Sequence, residues 1–284
     1  MTRLFLMCSL GLLVQGCNLV VAGDETQCAT DADCDARGFA NATCVESVCL
    51  SSGSSAWSCL GNLEEETPDP TKTVEFDIDL VYAVGGAAVS MQTVVDICDK
   101  LDPPCVNSPN LPKGLHPDGN GKVEVSVPEG FDGYVQISGP DLVDSRVYVG
   151  RPLLGPPSVE AVQLLSESDF NLLATLANDE PDPMRGSAIV LVVNCKGDGG
   201  GGVRFESPSI DDETTPFYLI NQQPVTPPTA TVTDGDGFGG YFNMPLGAAV
   251  VRGLRDDDDA FIGESSFQIL PETISYVLVA PTPQ

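Results

Sequence analysis

The sequence predicts a mainly β protein with two tandem antiparallel β-sandwich domains, a small disulfide-stapled N-terminal module and a short inter-domain helix. Several short stretches alternate apolar with polar residues, which is the pattern of strands with one buried face. Glycine (29) and proline (23) are abundant, as expected where many strands are joined by turns. The order strand, D-G-x-G turn, strand, P-x-G turn, strand also occurs twice.

These patterns divide the 284 residues into five segments. We expect a signal peptide (1–16), a Cys-rich module with its linker (17–62), a first sandwich (73–153), a helical linker (154–184) and a second sandwich (185–281).

The N-terminus has the features of an export signal. Arg3 provides a positive charge, and the apolar stretch Leu4–Val14 is too short to span a bilayer. The following sequence, LVQGC, resembles a bacterial lipobox, which implies that Cys17 is acylated and becomes the mature N-terminus. An ordinary secretory signal cleaved near Ala22 is the alternative.

The lipid is expected to be the protein's only membrane anchor, because no later stretch is long and apolar enough to cross a bilayer. Asn18 stands where an aspartate would favour retention in the inner membrane. In a cell with two membranes we therefore expect an outer-membrane lipoprotein of the cell envelope, facing the periplasm or the exterior.

The cysteines agree with export. Of the 10 cysteines, Cys8 lies in the segment to be removed and Cys17 is the lipid site. The other eight are expected to form disulfides: Cys28, Cys34, Cys44, Cys49, Cys59, Cys98, Cys105 and Cys195. A zinc site is the rival, but the chain has no C-x-x-C pair and a single histidine.

The first four of these cysteines lie too close together, with too little apolar sequence, for a hydrophobic core. Crossed pairing (Cys28 with Cys44, Cys34 with Cys49) is favoured, although two other connectivities are possible. The segment resembles small Cys-rich modules near the N-terminus of secreted bacterial lipoproteins.

The remaining cysteines are assigned by their positions. A turn-forming stretch separates Cys98 from Cys105, so we expect these two to be bridged. Cys59 and Cys195 either tie the linker to the second sandwich or stay unpaired. Trp57 and Cys59 are expected to dock into the first sandwich.

The first sandwich is predicted from period-two stretches. They are Val74–Leu80, Lys122–Val127, Phe131–Ser138 and Arg146–Val149. A short helix then follows, because Phe170, Leu173 and Leu176 recur at helical spacing behind Ser168 as N-cap. The turn-rich Asn178–Pro183 marks the boundary between the two sandwiches.

The second sandwich repeats the pattern. Ala188–Val193 is an apolar strand, a glycine turn separates it from Val203–Glu206, and Thr273–Val279 is expected to close the sheet. The turns of the repeat are DGDG (234–237) with PLG (245–247) in this half, and DGNG (118–121) with PEG (128–130) in the first.

These paired turns resemble those of prealbumin-like sandwiches, as in carboxypeptidase regulatory-like domains and adhesin stalk modules. The second copy fits well, whereas in the first copy His116 and Pro117 occupy the places of the strand and its threonine. The resemblance implies a fold and leaves the activity open, because such sandwiches host many functions.

Charge and composition argue against several classes of function. The formal net charge is −28, from 13 Lys+Arg and 41 Asp+Glu, so neither nucleic acid nor an anionic membrane surface is a plausible partner. His116 is the only histidine and lies in a Pro/Gly-rich loop without a G-x-S-x-G motif. We therefore predict that the protein is not an enzyme.

Calcium is the one metal with a sequence argument. Asp234, Asp236, Asp256 and Asp258 offer hard oxygen ligands, although Asp-Gly is also common hairpin-turn chemistry. No other cofactor is expected. The leading hypothesis is a non-catalytic envelope lipoprotein that acts as a structural or interaction module, of display or adhesion type, with an unknown protein or glycan partner at the cell surface. A calcium- or glycan-binding surface module is the alternative.

Overall fold

The computed structural model describes residues 28–37, 42–45, 47–51, 56–157 and 161–283. The Cys-rich module contains the helix α1 (Asp31–Ala36) and a hairpin of β1 (Ala42–Val45) and β2 (Val48–Ser51). The lipidation site predicted at Cys17 lies outside the described residues. No helix in the described ranges is both long and apolar enough to span a membrane.

Two β-sandwiches make up most of the other described residues. The strands of the first are β3 (Thr73–Tyr82), β4 (Val94–Asp99), β5 (Lys122–Pro128), β6 (Gly133–Ser138), β7 (Asp144–Tyr148) and β8 (Ala161–Leu164). The helix α2 (Glu167–Leu176) comes next. The strands of the second are β9 (Gly186–Val192), β10 (Val203–Glu206), β11 (Thr215–Ile220), β12 (Gln223–Val225), β13 (Phe238–Met244), β14 (Gly247–Arg255), β15 (Phe261–Ile269) and β16 (Thr273–Val279).

The two sandwiches have the same topology. In the first, β3 lies between β5 and β8, and β6 lies between β4 and β7. In the second, β9 lies between β13 and β16, and β14 lies between β10 and β15. β11 and β12 are additions that extend the second sandwich beyond β13. The repeat in the sequence therefore corresponds to a repeat of strand order.

The D-G-x-G turns occupy equivalent places in the two sandwiches. The carbonyl oxygen of Gly121 accepts a 2.8 Å hydrogen bond from the amide of Leu80, and Gly237 makes the same 2.8 Å bond with Val192. Both glycines have positive φ, of 86° and 78°. In each case a Cβ would lie 2.4 Å from the carbonyl oxygen of the neighbouring strand, so only glycine fits.

The mainly β fold class is confirmed, but the two sandwiches are not separate. β16 pairs in parallel with both β9 and β7, which joins them into one eight-stranded sheet of order β12-β11-β13-β9-β16-β7-β6-β4. β16 was expected only to close the second sheet. From Tyr276 to Val279 its sequence is apolar on both faces, as a strand buried in the middle of a sheet requires.

The predicted linker also contains a strand. β8 pairs in parallel with β3, so the first sandwich continues beyond residue 153 and includes part of 154–184. The pairs β3–β8, β9–β16 and β7–β16 are parallel, which departs from the purely antiparallel sandwiches that the sequence predicted. Parallel partners lie far apart along the chain, and the alternation within one strand does not identify them.

The eight-stranded sheet is covered on both faces. On one face, Val190 of β9 and Val277 of β16 pack with Val251 and Ile262 of the sheet β10-β14-β15. On the other face, Ile137 of β6 packs with strands of the sheet β5-β3-β8, including the buried residues Leu80 and Val125. Helix α2 covers the same face next to β13, where the rings of Phe170 and Phe242 lie 5.9 Å apart.

Helix α2 begins two residues earlier than predicted. Its N-cap is Ser166, whose hydroxyl oxygen accepts a 3.1 Å hydrogen bond from the amide of Asp169. Ser168, the expected N-cap, lies within the first turn. Both serines precede the same apolar pattern, so the sequence alone could not decide which one begins the helix.

Replacement of Ser166 by alanine is expected to lower the free energy of unfolding by about 1 kcal/mol, because the amide of Asp169 loses its acceptor. Urea unfolding measures the change. Ser168→Ala is the matched control and should be close to neutral; an equal loss in the two variants would contradict the assignment of the cap.

Candidate functional sites

The Cys-rich module has the crossed pairing that the sequence favoured. Cys28 is bonded to Cys44, and Cys34 to Cys49, with Cα–Cα distances of 5.8 and 5.5 Å. Arg37, at the end of α1, donates a 3.1 Å hydrogen bond to the side chain of Asn221 in the β11–β12 turn. The module thus contacts the outer end of the second sandwich.

The third disulfide joins Cys59 to Cys195 across 136 residues. The amide of Cys195 donates a 2.9 Å hydrogen bond to the carbonyl of Ala56, and the ring of Trp57, which is 4% exposed, lies in the core of the second sandwich. The expectation that Trp57 docks into the first sandwich is wrong. Gly200 provides the space, since a Cβ there would lie 2.8 Å from the indole ring.

The fourth disulfide, Cys98–Cys105, closes a short loop at the end of β4. Two buried side chains of the neighbouring strands hold this loop. The hydroxyl of Tyr134 donates hydrogen bonds to the carbonyl groups of Asp102 (2.7 Å) and Pro103 (2.9 Å), and burial raises the pKa of this tyrosine to about 12. Arg146 lies 4.8 Å above the Tyr134 ring and also donates to the Pro103 carbonyl.

The one histidine in the sequence, His116, contacts the protein backbone. Nδ1 of His116 lies 2.9 Å from the carbonyl oxygen of Thr93, which fixes the loop that precedes the first D-G-x-G turn. A catalytic base needs a nucleophile within hydrogen-bonding reach and a group that orients the ring. Among the described residues, the hydrogen-bond partner of the ring is a backbone carbonyl, which is neither a nucleophile nor a carboxylate that could orient the ring.

The first acidic turn is stabilised by the protein's own amides. Asp234 is fully buried, and its two carboxylate oxygens accept 3.0 Å hydrogen bonds from the amides of Asn221 and Asp236. This is the usual role of an aspartate at the first position of a turn. Asp234 therefore connects the β11–β12 turn to the second D-G-x-G turn.

The second acidic turn, 256–259, lies beside two arginines. Arg204 lies 3.8 Å from the carboxylate of Asp256, and Arg255 lies 3.5 Å from that of Asp258. Gly202 links the two acidic turns, because its carbonyl accepts a 3.0 Å hydrogen bond from the amide of Asp256 and its amide donates a 2.9 Å hydrogen bond to the carbonyl of Thr233. The guanidinium groups already neutralise part of the negative charge that a calcium ion would have to balance.

The structure does not gather the four predicted calcium ligands. In the described part of the chain, one group of three acidic, histidine or cysteine side chains has ligand atoms within 4.8 Å of one another, and it consists of Cys28, Cys34 and Cys49. These cysteines are in disulfide bonds and do not bind metal as thiolates. The calcium hypothesis therefore gains no support from the geometry.

A surface pocket that the sequence did not predict lies where β10, β11 and β13 meet. We call it the tyrosine pocket; its volume is about 350 Å³, and its lining includes Phe205, Glu206, Pro216, Tyr218, Pro227 and Tyr241. The rings of Phe205 and Tyr218 are stacked, with centroids 5.4 Å apart. The hydroxyl oxygen of Tyr218 accepts a 3.2 Å hydrogen bond from the amide of Phe205.

Tyr241 is the unusual member of this pocket. It is 2% exposed, and burial raises its pKa, with nearby Tyr218 and Glu206 adding to the effect. Its ring is buried, but its hydroxyl is not among the fully buried side-chain atoms of the described residues that lack a hydrogen-bond partner; the hydroxyl of Tyr276 is. No sequence signal marked Tyr241, because its surroundings come from three strands that are distant along the chain.

Comparisons with known proteins assign no family. No protein-family model matches the chain, and no curated protein matches it either. Among solved structures, the TIE protein of Bacillus anthracis is 11% identical with a TM-score of 0.22, and the match covers 73% of this chain but 33% of that one. The chain thus spans about a third of the length of that protein.

Two pilins give similar values. The major pilin subunit of Bacillus cereus is 12% identical over 74% of this chain and 69% of its own, with a TM-score of 0.24. The shaft pilin of Lactobacillus rhamnosus GG is 11% identical over 75% of this chain and 99% of its own, with a TM-score of 0.22. Similarity at this level assigns neither a family nor a function.

Proposed function

We propose that the chain is a non-catalytic lipoprotein of the cell envelope, acylated at Cys17, that acts as a structural or interaction module of display or adhesion type. The observation that carries the proposal is the pairing of all eight cysteines from Cys28 onward in four disulfides. Such bonds form and persist in oxidising compartments outside the cytosol. The leader sequence and the cysteine pairing thus support the same location.

Two protected sheet edges, at β10 and β4, support a role in display. The outer edge of β10 is occupied, because the amide of Val203 bonds Thr233 and that of Phe205 bonds Tyr218. At the edge of the large sheet, the amide of Ile97 in β4 bonds the carbonyl of Pro112. Occupied edges prevent indiscriminate strand pairing between molecules. A protein exposed at high density on a surface needs this protection.

The surface charge restricts the partner. A net charge of −28 opposes association with nucleic acid, anionic lipid or another strongly acidic surface. The protein would therefore contact the membrane through its lipid alone, and its partner would be a neutral or basic protein or glycan at the cell surface. The proposal of a non-catalytic role rests on the environment of His116, which bonds a backbone carbonyl.

Replacement of Cys17 by serine tests the anchor. We expect the variant to move from the membrane fraction to the soluble exported fraction, because serine cannot be acylated at a lipobox and no other anchor is predicted. Fractionation with immunodetection measures the shift. Cys8→Ser is the control and should stay with the membrane; a membrane-bound Cys17→Ser protein would refute the lipoprotein assignment.

The tyrosine pocket supports a second candidate function, the binding of a neutral sugar. Its aromatic rings suit the apolar face of a sugar, while the Tyr241 hydroxyl and the Glu206 carboxylate can bond hydroxyl groups. The acidic chain disfavours anionic glycans, and Arg204 at the rim is already paired with Asp259 at 2.6 Å. The stacked rings of Phe205 and Tyr218 beside Tyr241 in the lining of this pocket are the specific observation that favours this candidate.

The Tyr241→Phe variant distinguishes an effect on sugar binding from an effect on the stability of the fold. The variant should unfold close to the temperature of the parent, because it removes one hydroxyl and leaves the buried ring in place. Its affinity for a neutral oligosaccharide should fall about fivefold, the value of one hydrogen bond. Calorimetry against a panel of neutral oligosaccharides measures this, with Tyr82→Phe in β3 as control. If every sugar that binds the parent binds the variant with the same affinity, the tyrosine pocket is not the sugar-binding site.

A further inference from the structure

Lys113 has an unusual position for a lysine in so acidic a chain. Lys72, Lys100 and Lys122 each lie within 3.8 Å of a carboxylate. The ammonium of Lys113 has no carboxylate partner in the described ranges and instead contacts Sγ of Cys105, with Sγ of Cys98 at 3.6 Å. It also donates a 3.1 Å hydrogen bond to the Cys105 carbonyl, which fixes it over the disulfide.

The two cysteines of this disulfide differ in exposure. Cys98 is completely buried at the end of β4, whereas Cys105 is partly exposed on the loop. Two apolar side chains of the same loop are strongly exposed, Leu101 by 91% and Val106 by 71%. An incoming thiol can therefore reach Cys105 and contact apolar surface beside it, but it cannot reach Cys98.

The loop does not depend on the disulfide alone. Tyr134 and Arg146 bond its backbone carbonyls, and the carboxylate of Asp102 accepts hydrogen bonds from the amide of Asn107 (2.6 Å) and the hydroxyl of Ser108 (2.9 Å). These bonds involve no cysteine side chain. Cleavage of the disulfide would therefore leave the loop in place.

We infer that Cys98–Cys105 is a thiol–disulfide exchange site for an external dithiol, with Lys113 as the group that stabilises the departing sulfur. A thiolate of the dithiol attacks Sγ of Cys105, a new S–S bond forms, and the Cys98–Cys105 bond breaks. Its electron pair stays on Sγ of Cys98 as a thiolate beside the Lys113 ammonium. The second thiol of the reagent then displaces Cys105, so the reagent is oxidised to a disulfide and both protein cysteines are reduced.

Each residue in this arrangement has a role in the exchange reaction. The rate of exchange rises as the leaving thiolate is stabilised and depends on access to the sulfur that is attacked. Lys113 stabilises the leaving thiolate of Cys98, and the partial exposure of Cys105 gives access to the sulfur that is attacked. The same positive charge also reduces the repulsion between an incoming thiolate and the acidic protein.

Site-resolved reduction of the full chain tests the inference. The folded protein is treated with dithiothreitol, quenched with acid over time and mapped by differential alkylation of each cysteine. We expect Cys98–Cys105 to be reduced first, at least about tenfold faster than Cys34–Cys49 and Cys59–Cys195. If it is reduced no faster than these two bonds, the inference is wrong.

Variants at Lys113 test its role in the same assay. Lys113→Gln should slow the reduction of Cys98–Cys105 at least about threefold and leave the other three bonds unchanged, whereas Lys113→Arg should preserve the rate. Lys100→Gln, which removes a lysine that pairs with Asp132, is the control and should have no effect. If Lys113→Gln folds and is reduced as fast as the parent, exposure alone explains the reactivity and the assigned role of Lys113 is refuted.

Discussion

Replacement of Cys59 and Cys195 together by serine is expected to lower the free energy of unfolding by about 5 kcal/mol. The two residues are 136 positions apart, so their bond removes a large amount of conformational entropy from the unfolded chain. The double variant also loses the covalent restraint on the segment that carries Trp57 into the core.

Trp57 makes this experiment simple to follow, because it is the only tryptophan in the chain. Its fluorescence reports the docking of the segment, and urea unfolding followed by circular dichroism reports the fold. The matched control is the double serine variant of Cys98 and Cys105. The disulfide between these two residues closes a separation of 7 residues, so its loss should lower the free energy of unfolding by about 2 kcal/mol. Equal losses in the two double variants would contradict the explanation by chain entropy.

The glycines at the end of the D-G-x-G turns should be the most sensitive single positions in the two sandwiches. Gly121→Ala and Gly237→Ala are each expected to lower the free energy of unfolding by about 3 kcal/mol or more. Each residue has a positive φ, and the added Cβ would lie 2.4 Å from a backbone oxygen of the adjacent strand. The backbone would have to move for an alanine to fit.

Gly119 provides the control within the same turn. A Cβ there has no heavy atom within 4 Å, and the residue does not have the positive φ of Gly121. Gly119→Ala should therefore change the stability little, or raise it slightly through the entropy of the unfolded chain. Denaturant unfolding of the three variants measures the differences. A loss in Gly119→Ala as large as in Gly121→Ala would show that the turn is sensitive for another reason.

The features that the sequence predicted are local ones. Alternation placed β3 and β5, the serine-led apolar pattern placed α2 to within two residues, and the D-G-x-G turns marked equivalent positions in the two sandwiches. Each of these depends on residues a few positions apart, where the backbone geometry and the side-chain chemistry are linked directly.

The features that the sequence missed depend on contacts between distant segments. The parallel pairing of β16 with β7, the docking of Trp57 on the second sandwich and the tyrosine pocket each involve residues far apart along the chain. The second half of β16 contained one clue, since Val277, Leu278 and Val279 make it apolar on both faces. An edge strand with one exposed face would have needed polar residues at alternate positions.

If the N-terminus is tethered as we propose, the bond between Cys59 and Cys195 has a mechanical consequence. Tension from the tether would enter the fold through this covalent link, three residues after β9 ends in the middle of the large sheet. A load applied to the second sandwich would then be carried from the tether to β9 without passing through the first sandwich. The first sandwich would remain unstretched, and its loops would keep their shape while the protein is pulled.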